Sequence, residues 1–345
     1  MDKGYTKYLR MIRKTLIVYA KQENISTFEV ETDLIVPIEI ASDKLEYAAR
    51  TIRPKLLKVK DDFLYLHDTP KLKNKKASKA KLLEKSVESI LKEVRVDHSV
   101  KKTPYFKGGE DEALNQLSTF LEQNLKNYQE SNDPSLDLTS KLSPYLHFGM
   151  ISPVRIYLAV SDFLDQVPSE SVEGYLEQLL VRRELAFNFI YYLEGYDQFD
   201  KMTHEWAYET MEVHLGDKRE YLYEEADYIH FKTHDDYFNA AMKEMVYTGY
   251  MHNYMRMYWG KKIIEWSPSY EAAYEMIISL NNRYFLDGRD ANSYAGVAWC
   301  FGRHDHGWKD REVFGKLRYM NANGLKRKFD INTYVDRMNQ LKKDQ

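Results

Sequence analysis

The sequence lacks the features that define several large protein classes. It contains one cysteine, Cys300, so no internal disulfide can form, and we expect a reducing, intracellular and cytoplasmic setting. No run of about 18 apolar residues is present, so the sequence predicts no membrane span. The apolar run at 15–20, next to a basic N-terminus, is too short for the core of a secretory signal peptide.

The chain also lacks a strong net charge. The formal charge is −3 at pH 7, so the protein as a whole does not show the basic character of many nucleic-acid-binding proteins. The charges are unevenly distributed, however, because residues 71–86 hold seven lysines and one glutamate, whereas residues 205–227 are rich in acidic side chains. Such a lysine-rich stretch is usually a solvated helix or loop, but it can bind phosphate locally.

Apolar and aromatic residues, by contrast, are abundant. The 345 residues are 43% hydrophobic, enough for roughly two domains with a substantial core, and 28 of them are tyrosines. Helical spacing dominates from residue 110 onwards, where it predicts helices over 110–128, 171–195, 234–249, 251–266 and 269–285. We therefore predict a mainly α protein.

The N-terminal part has a different pattern. Helical spacing over 5–22 is followed by an alternating stretch at 27–32 and a short apolar run at 34–41, and both of these predict β-strands. We therefore predict three regions: an incomplete α/β unit at 1–53, a Lys-rich linker at 54–110 with an amphipathic helix at 78–94, and a helical domain at 111–345.

Hydroxyl side chains precede a predicted helix in the sequence LTSKLSPYLHFG, residues 138–149. Thr139, Ser140 and Ser143 lie just before or at its start, where hydroxyls and free backbone N–H groups can bind a phosphate. The simpler interpretation is that these residues only cap the helix.

The segment 281–308 is dense in Asn, Asp, Arg, Gly and Trp. Its Asp-Gly-Arg-Asp turn requires the glycine for a tight bend, and Trp299 and a second tryptophan, Trp308, could present aromatic faces to a flat ligand. His304 and His306 are spaced like a metal-binding pair, but no cysteine or third histidine follows at a suitable spacing. We expect no metal site.

The helix MHNYMRMYWGKKIIEW, residues 251–266, is unusually rich in Met, Tyr and Trp. Arg256, Trp259 and Trp266 share one helical face. A tryptophan pair on such a face usually packs in a core, whereas a buried arginine requires a partner, for which Asp287 is the candidate.

Together these segments resemble a known family. KLSPYLHFGMISP, VRRELAFNF, the helix at 251–266, LNNRYFLDGRD and KLRYMNANGLKRKFD are similar to blocks of class II DNA photolyases, in the cryptochrome/photolyase superfamily. The similarity extends from about residue 3 to residue 338, and it is interrupted mainly in the Lys-rich region. It implies a helical FAD-binding domain that repairs cyclobutane pyrimidine dimers in double-stranded DNA with blue light.

The resemblance also implies a binding site for FAD, held reduced and anionic in the active enzyme. The implied cofactor residues are Arg256 and Asp287 as an ion pair beside the isoalloxazine, Asn281 facing flavin N5, and a phosphate-binding set of Tyr128, Thr139, Ser140, Lys141, Leu142 and Ser143. A guanidinium close to the ring favours its negative charge. In the family, light drives one electron from the flavin to the dimer, which splits and returns it, so no acid, nucleophile or metal is needed.

Substrate contacts and electron relays are implied in the same way. The lesion and DNA residues are Gln178, Arg182, Met257, Trp299, Trp308 and Arg318, with the basic segments around 316–318 and 324–328 on phosphates. Trp259 and Trp266 match a relay that carries electrons from the surface to the flavin. No membrane contact is implied, and we expect a monomer acting wherever the genome lies.

Three departures from the family pattern bear on activity. Gln178 occupies the place of an acidic pocket residue, although Glu177 is adjacent, and Phe238 occupies the place of the middle relay tryptophan, leaving Tyr223 or Tyr258 as other routes. Most of the Rossmann-like antenna domain is missing, so we expect a truncated remnant and no antenna chromophore. The alternatives are a cryptochrome-type flavin photoreceptor and a repair-deficient fragment.

Overall fold

The computed structural model describes residues 1–68, 71 and 86–341, and within them the chain is mainly helical, as predicted. The lysine-rich stretch at 71–86 lies almost entirely outside the described residues. Of the amphipathic helix predicted at 78–94, only the part from residue 86 is described, and it is helical. The N-terminal helices are α1 Lys7–Gln22, α2 Ile38–Ala41, α3 Ala49–Val59 and α4 Val87–Glu93, and a 3₁₀ turn, Lys60–Asp62, follows α3.

The two predicted N-terminal strands are wrong. In the described residues the only β pairing is an isolated bridge between Asp2 and Val30, and residues 38–41 form α2. The apolar run at 34–41 is buried, but it packs against helices: the carboxylate of Glu184 accepts hydrogen bonds from the backbone N–H groups of Ile35 and Val36, at 2.8 and 3.2 Å. Because a side chain satisfies these donors, the run needs no neighbouring strand.

The middle of the chain forms five helices, three of which lead into or out of a wider π-helical turn. They are α5 Glu110–Thr119, α6 Ser143–His147, α7 Pro153–Ser161, α8 Ser169–Leu176 and α9 Arg183–Tyr192. The π turns are Phe120–Asn124 and Glu177–Arg182, and a 3₁₀ segment, Leu125–Glu130, follows the first. The predicted continuous helices over 110–128 and 171–195 are therefore each interrupted.

The C-terminal part of the described chain contains eight helices, α10 Glu205–Val213, α11 Glu225–Ile229, α12 Asp236–Thr248, α13 Asn253–Trp266, α14 Tyr270–Tyr284, α15 Ala291–Cys300, α16 Ala322–Lys328 and α17 Ile331–Asn339. Their ends follow from local chemistry. Asp235 caps α12 by accepting from two backbone N–H groups, and Gly249 ends it at a φ of 74°. His252, Ser269 and Asp290 cap the next three helices in the same way.

Two hydrophobic clusters make up the core. One is built mainly from α9 to α17, and the other from α3 and α5 to α9. Residues of the N-terminal segment enter both clusters, with Tyr5 and Ile38 in the first and Val36 and Ile52 in the second. The division into three regions stays a prediction.

Helix α13 is buried on nearly all sides, unlike an amphipathic surface helix. Nine of its residues are buried, and Gly260 lets α15 approach closely, because a Cβ there would lie 2.6 Å from Cys300 Sγ. The polar members of α13 must therefore find partners inside the protein. None of the helices in the described part of the chain has the length and apolar character that crossing a membrane requires.

Candidate functional site

A cavity of about 600 Å³ lies between the two hydrophobic clusters. Its size is within the range of small-molecule and cofactor sites. It brings together fourteen of the seventeen residues predicted for the site, and these are Tyr128, Thr139, Ser140, Lys141, Leu142, Ser143, Gln178, Arg182, Arg256, Met257, Trp259, Asn281, Asp287 and Trp299. The other three, Trp266, Trp308 and Arg318, do not line it.

The pairing of Arg256 with Asp287, predicted from the sequence, is confirmed. Two guanidinium N–H groups donate to the two carboxylate oxygens, each at 3.0 Å, and Nε donates to the carbonyl of Met251 at 2.9 Å. The guanidinium also lies 4.0 Å from the ring centre of Phe285. Burial alone would lower the pKa of Arg256, but the charge and hydrogen bonds of Asp287 outweigh burial, so its pKa is raised and its charge is secure.

The loop that carries Asp287 needs its glycine, as the sequence suggested. A Cβ on Gly288 would lie within 3 Å of the carbonyl oxygens of Asn281 and Phe285, so the backbone can turn this tightly only without a side chain. The turn places Asp287 toward α13 and lets Asp290 cap α15. Asn281 is 5% exposed on α14, where its Nδ2 donates to Asn282 Oδ1 at 3.0 Å.

The hydroxyls of 139–143 do not cap α6. The helix begins at Ser143, and its N-cap residue is Leu142, with no side-chain cap. Instead Tyr250 donates to Thr139 Oγ1 at 3.0 Å, and Tyr175 donates to Ser140 Oγ at 3.3 Å. These hydroxyls line the cavity and act there as acceptors, which leaves their own O–H protons available to a ligand.

Tyr175 and Tyr250 are site residues that the sequence interpretation missed. Both are buried and line the cavity, and burial raises the pKa of each phenol, so both remain protonated donors. Tyr175 lies three positions before Gln178, a spacing that places two residues on the same helical face. That spacing was the available signal. Burial also raises the pKa of the predicted Tyr128 to about 12.

The π turn at 177–182 decides which side chains reach the cavity. Gln178 and Arg182 line it, whereas Glu177 accepts two hydrogen bonds from the guanidinium of Arg53, at 2.7 and 2.9 Å. Glu177 also pairs with Arg182, whose Nε lies 3.3 Å from its carboxylate, so two arginines hold Glu177 and the amide of Gln178 occupies this position in the cavity. π turns occur frequently at functional sites.

The three predicted residues outside the cavity lie in two places. Trp266 is 2% exposed in the core, with its ring centre 5.0 Å from Phe238 and 5.3 Å from Tyr223. Arg318 lies behind the cavity wall, with its guanidinium carbon 5.4 Å from the ring centre of Trp299 and 4.1 Å from that of Trp308. Both guanidinium and indole are held by Asp305, which accepts hydrogen bonds from Arg318 at 2.9 and 3.1 Å and from Trp308 Nε1 at 3.3 Å.

The side chains of His304 and His306 lie in different surroundings, one buried and one exposed. His304 shares a hydrogen bond of 2.7 Å with the carbonyl of Tyr47, and burial lowers its pKa to about 3, so it is neutral. His306 is exposed and stacks on Trp308, with ring centres 4.9 Å apart. Among the described residues, no three histidine, cysteine or carboxylate side chains lie together as metal ligands would.

Known proteins share this sequence and this fold. A deoxyribodipyrimidine photo-lyase of Methanothermobacter thermautotrophicus is 44% identical over 343 residues, which cover 99% of this chain and 74% of that protein. The enzyme of the same name from Arabidopsis thaliana is 41% identical, over 96% of this chain and 69% of its own length. The chain belongs to the deoxyribodipyrimidine photo-lyase family. No family model matches it.

Solved structures support the same fold. A bacterial class III photolyase from Agrobacterium tumefaciens superposes with a TM-score of 0.72 at 17% identity, covering 98% of this chain and 67% of that one. An archaeal photolyase from Sulfolobus tokodaii, solved with two FAD molecules, gives 0.68 at 15% identity, over 97% and 67% of the two chains. The predicted photolyase family, the helical fold and the status of the chain as an enzyme are therefore confirmed.

Proposed function

We propose that this chain is a class II-type photolyase that binds FAD and repairs cyclobutane pyrimidine dimers in DNA with blue light. The observation that carries the proposal is the cavity itself, because residues expected for a flavin and residues expected for a lesion line one continuous space. We propose further that the enzyme acts as a monomer on double-stranded DNA. The repair activity in this proposal follows the names of the family's members and the sequence resemblance.

The cavity has the donors and acceptors that FAD requires. At one side the hydroxyls of Thr139, Ser140 and Ser143 would hold the phosphates, and the fit rests on their free O–H protons. Lys141 is paired with Asp137 at 2.7 Å, so it adds little net charge there. Phosphate binding would depend on neutral hydrogen bonds rather than on a cluster of cations.

The other side of the cavity fits the flavin ring. Arg256 and Asp287 would contact the ring edge, and Asn281 would face it, since the Oδ1 of Asn281 accepts no hydrogen bond from the described residues. When bound, reduced FAD would supply the electron for light-driven cleavage of the dimer. The raised pKa of Arg256 keeps a fixed positive charge at this position, which favours a negative charge beside it.

The outer part of the cavity suits a flipped dinucleotide. Met257 and Trp299 are partly exposed and offer apolar and stacking surface, while Gln178 and Arg182 are exposed and offer hydrogen bonds. Taking a dimer out of the duplex costs a few kcal/mol, and stacking on an aromatic ring returns about 1–3 kcal/mol per base. We propose that Trp299 supplies that stacking and that Trp308 and Arg318 occupy the gap left in the duplex.

We propose Trp259 as the residue that reduces the oxidised cofactor in light. It lines the cavity, it is 3% exposed, and its Nε1 donates to Met242 Sδ at 3.0 Å. Met242 and Phe238 are one turn apart on α12, and Phe238 contacts Trp266. The apolar gap at Phe238 makes this relay slow, and Tyr223 extends it toward the surface, where its hydroxyl shares a 2.7 Å hydrogen bond with His234.

The test is repair by the purified protein. Its flavin is reduced chemically, an oligonucleotide with a thymine dimer is added, and recovery of thymine absorbance is followed under blue light. Light-dependent recovery supports the proposal. Protein without bound flavin would indicate a fragment that cannot repair, and bound flavin without recovery would indicate a photoreceptor instead.

A further inference from the structure

Lys261 is a buried cation that neither the fold nor the proposed chemistry explains. It is 1% exposed, and in the described chain no carboxylate lies within ion-pair distance of its ammonium. Its Nζ donates to the carbonyl oxygen of Cys300 at 2.5 Å. Burying a lysine in this way is costly, so a position that only fills the core would be better served by Met or Leu.

The ammonium lies behind the indole that lines the cavity. Lys261 Nζ is 5.5 Å from the ring centre of Trp299, and the guanidinium carbon of Arg318 is 5.4 Å from the same centre. Two cations therefore contact one indole, an arrangement that holds the ring by cation–π attraction. In the described residues, no lysine or arginine stacks on Trp259, the other tryptophan of the cavity.

The hydrogen bond of Lys261 fixes the helix that carries Trp299. Cys300 is the last residue of α15, and its carbonyl is one of the terminal acceptors that have no partner within the helix. A cation at that end also interacts favourably with the helix dipole. Because Gly260 lets α13 and α15 touch, the side chain of Lys261 can reach this carbonyl across the interface.

We infer that Lys261 is a positioning residue, which holds Trp299 in the orientation that stacks on a flipped pyrimidine dimer. The inference rests on the proposed function, since it assigns Lys261 a role through Trp299. The role requires the charged ammonium, which both closes the end of α15 and attracts the indole.

The neighbouring lysine provides a matched control. Lys262 is also on α13 and is also buried, at 6% exposure, but it pairs with Glu265 at 2.6 Å and lies against Trp266 rather than Trp299. Lys261→Met and Lys262→Met therefore make the same change at adjacent positions on different faces. We expect Lys261→Met to retain bound flavin and to change the melting temperature little, because removal of a buried charge offsets loss of the hydrogen bond to the Cys300 carbonyl.

The experiment measures binding in the dark to a duplex with one thymine dimer and to the same duplex undamaged. Lys261→Met should lower the preference for the damaged duplex by roughly threefold to tenfold, and Lys262→Met should leave it unchanged. A double-substitution cycle tests whether Lys261 acts through Trp299, since Lys261→Met should have no further effect on the preference when Trp299→Phe is present. An equal effect in both backgrounds, or none in either, would overturn the inference.

A pH profile gives a second measurement on the unsubstituted protein. Burial lowers the pKa of Lys261 to about 8, and the nearby groups are the Cys300 thiol, Asp305 and Arg318. Burial raises the pKa of Cys300 to about 11, so the thiol stays protonated as Lys261 loses its charge. The preference for the dimer should fall as the pH rises from 7 to 9, and Lys261→Met should abolish that fall. A protein with no preference at pH 7 would contradict the proposed function, whereas an unaltered profile in Lys261→Met would contradict only the role of Lys261.

Discussion

Two arginine–aspartate pairs of nearly the same geometry have different surroundings in this protein. Arg256 and Asp287 meet through two hydrogen bonds of 3.0 Å in the inner part of the cavity, and Arg318 and Asp305 meet through two bonds of 2.9 and 3.1 Å behind its outer wall. The inner arginine stacks on a buried phenylalanine, Phe285, whereas the outer one stacks on Trp308, which is 40% exposed.

The difference shows that surroundings, not the pair itself, decide what such a pair does. In the inner pair, Nε of Arg256 also donates to a backbone carbonyl, so all three guanidinium nitrogens are hydrogen-bonded and the group is held in one orientation. Its positive charge therefore has a fixed position next to a bound ring. The outer pair holds an exposed indole, which water or a nucleic acid can displace. We infer that the inner pair sets the cofactor site and the outer pair lets the surface adapt to DNA.

The largest expected effect is loss of the inner counter-ion. Asp287→Asn keeps the shape of the side chain but leaves the charge of Arg256 without its partner, which for a buried pair costs about 3–5 kcal/mol. We expect a lower free energy of unfolding and little bound flavin, measured by urea unfolding and by flavin absorbance. Asp305→Asn is the matched change at the outer pair, and it should cost less and retain the flavin. Equal losses in the two variants would contradict the comparison.

Acid should destabilise the protein through protonation of His252, the residue that caps α13. This side chain is 2% exposed, its Nδ1 accepts from the backbone N–H of Tyr254, and its Nε2 donates to the carbonyl of Ser131, so the ring is neutral. Burial lowers its pKa from 6.5 to about 4. The unfolded chain therefore binds the proton first, and stability should fall as the pH drops from about 6.5 to about 4, by up to about 3 kcal/mol.

A substitution that keeps the cap isolates this effect. Asn can accept from the N–H of Tyr254 but does not titrate, so His252→Asn should flatten part of the pH dependence of unfolding. His204 and His304, whose pKa values burial lowers to about 4 and about 3, should contribute in the same direction. Burial raises the pKa of Glu184 to about 8 and that of Asp33 to about 6, so these two carboxyls should contribute in the opposite direction. A pH dependence identical to that of the unsubstituted protein would exclude His252 as a contributor.

The two tryptophans that line the cavity, Trp259 and Trp299, should have different functions. Trp259→Phe should slow light-driven reduction of oxidised flavin at least about tenfold, roughly 1.4 kcal/mol in activation free energy, yet spare repair once the flavin is reduced chemically. Trp299→Phe should do the reverse, weakening the preference for damaged DNA while photoreduction persists. Flavin absorbance under blue light measures the reduction, and binding in the dark to damaged and undamaged duplexes measures the preference for the lesion. Loss of repair in pre-reduced Trp259→Phe would contradict its role as a relay only.

Much of the inner part of the cavity, around Arg256 and Asp287, could be predicted from the sequence. Arg256 and Asp287 are a charged pair that burial makes obligatory, and the predicted helices at 234–249, 251–266 and 269–285 are confirmed within a few residues. The N-terminal strands were wrong because an apolar run shows only that a segment is buried. The backbone partner at 34–41 is the carboxylate of Glu184, about 150 positions away in the chain, and no local pattern indicates it.

The contacts at the outer wall of the cavity were harder to predict, because they join residues from separate segments of the chain. Trp308, Arg318 and Asp305 have no common periodicity, and the contact of Lys261 with the carbonyl of Cys300 depends on how closely α13 meets α15. The π turn at 177–182 likewise has no clear sequence signal, although it decides that Gln178 lines the cavity while Glu177 pairs with Arg53. Trp308 and Arg318 were therefore identified, but the residues that hold them or their neighbours, Asp305 and Lys261, were missed.

The smallest expected effect concerns charges at the outer surface. Arg327 is exposed on α16, in the basic segment proposed to contact phosphates, and Arg327→Ala should leave stability within about 0.5 kcal/mol of the unsubstituted protein. If it contacts one phosphate, the slope of log affinity against log salt should decrease by about one, equally for damaged and undamaged duplexes. Lys14→Ala, an exposed change on α1, is the control and should leave the slope unaltered. A loss confined to the damaged duplex would instead assign Arg327 to lesion recognition, and the outer end would then be less adaptable than its exposed indole indicates.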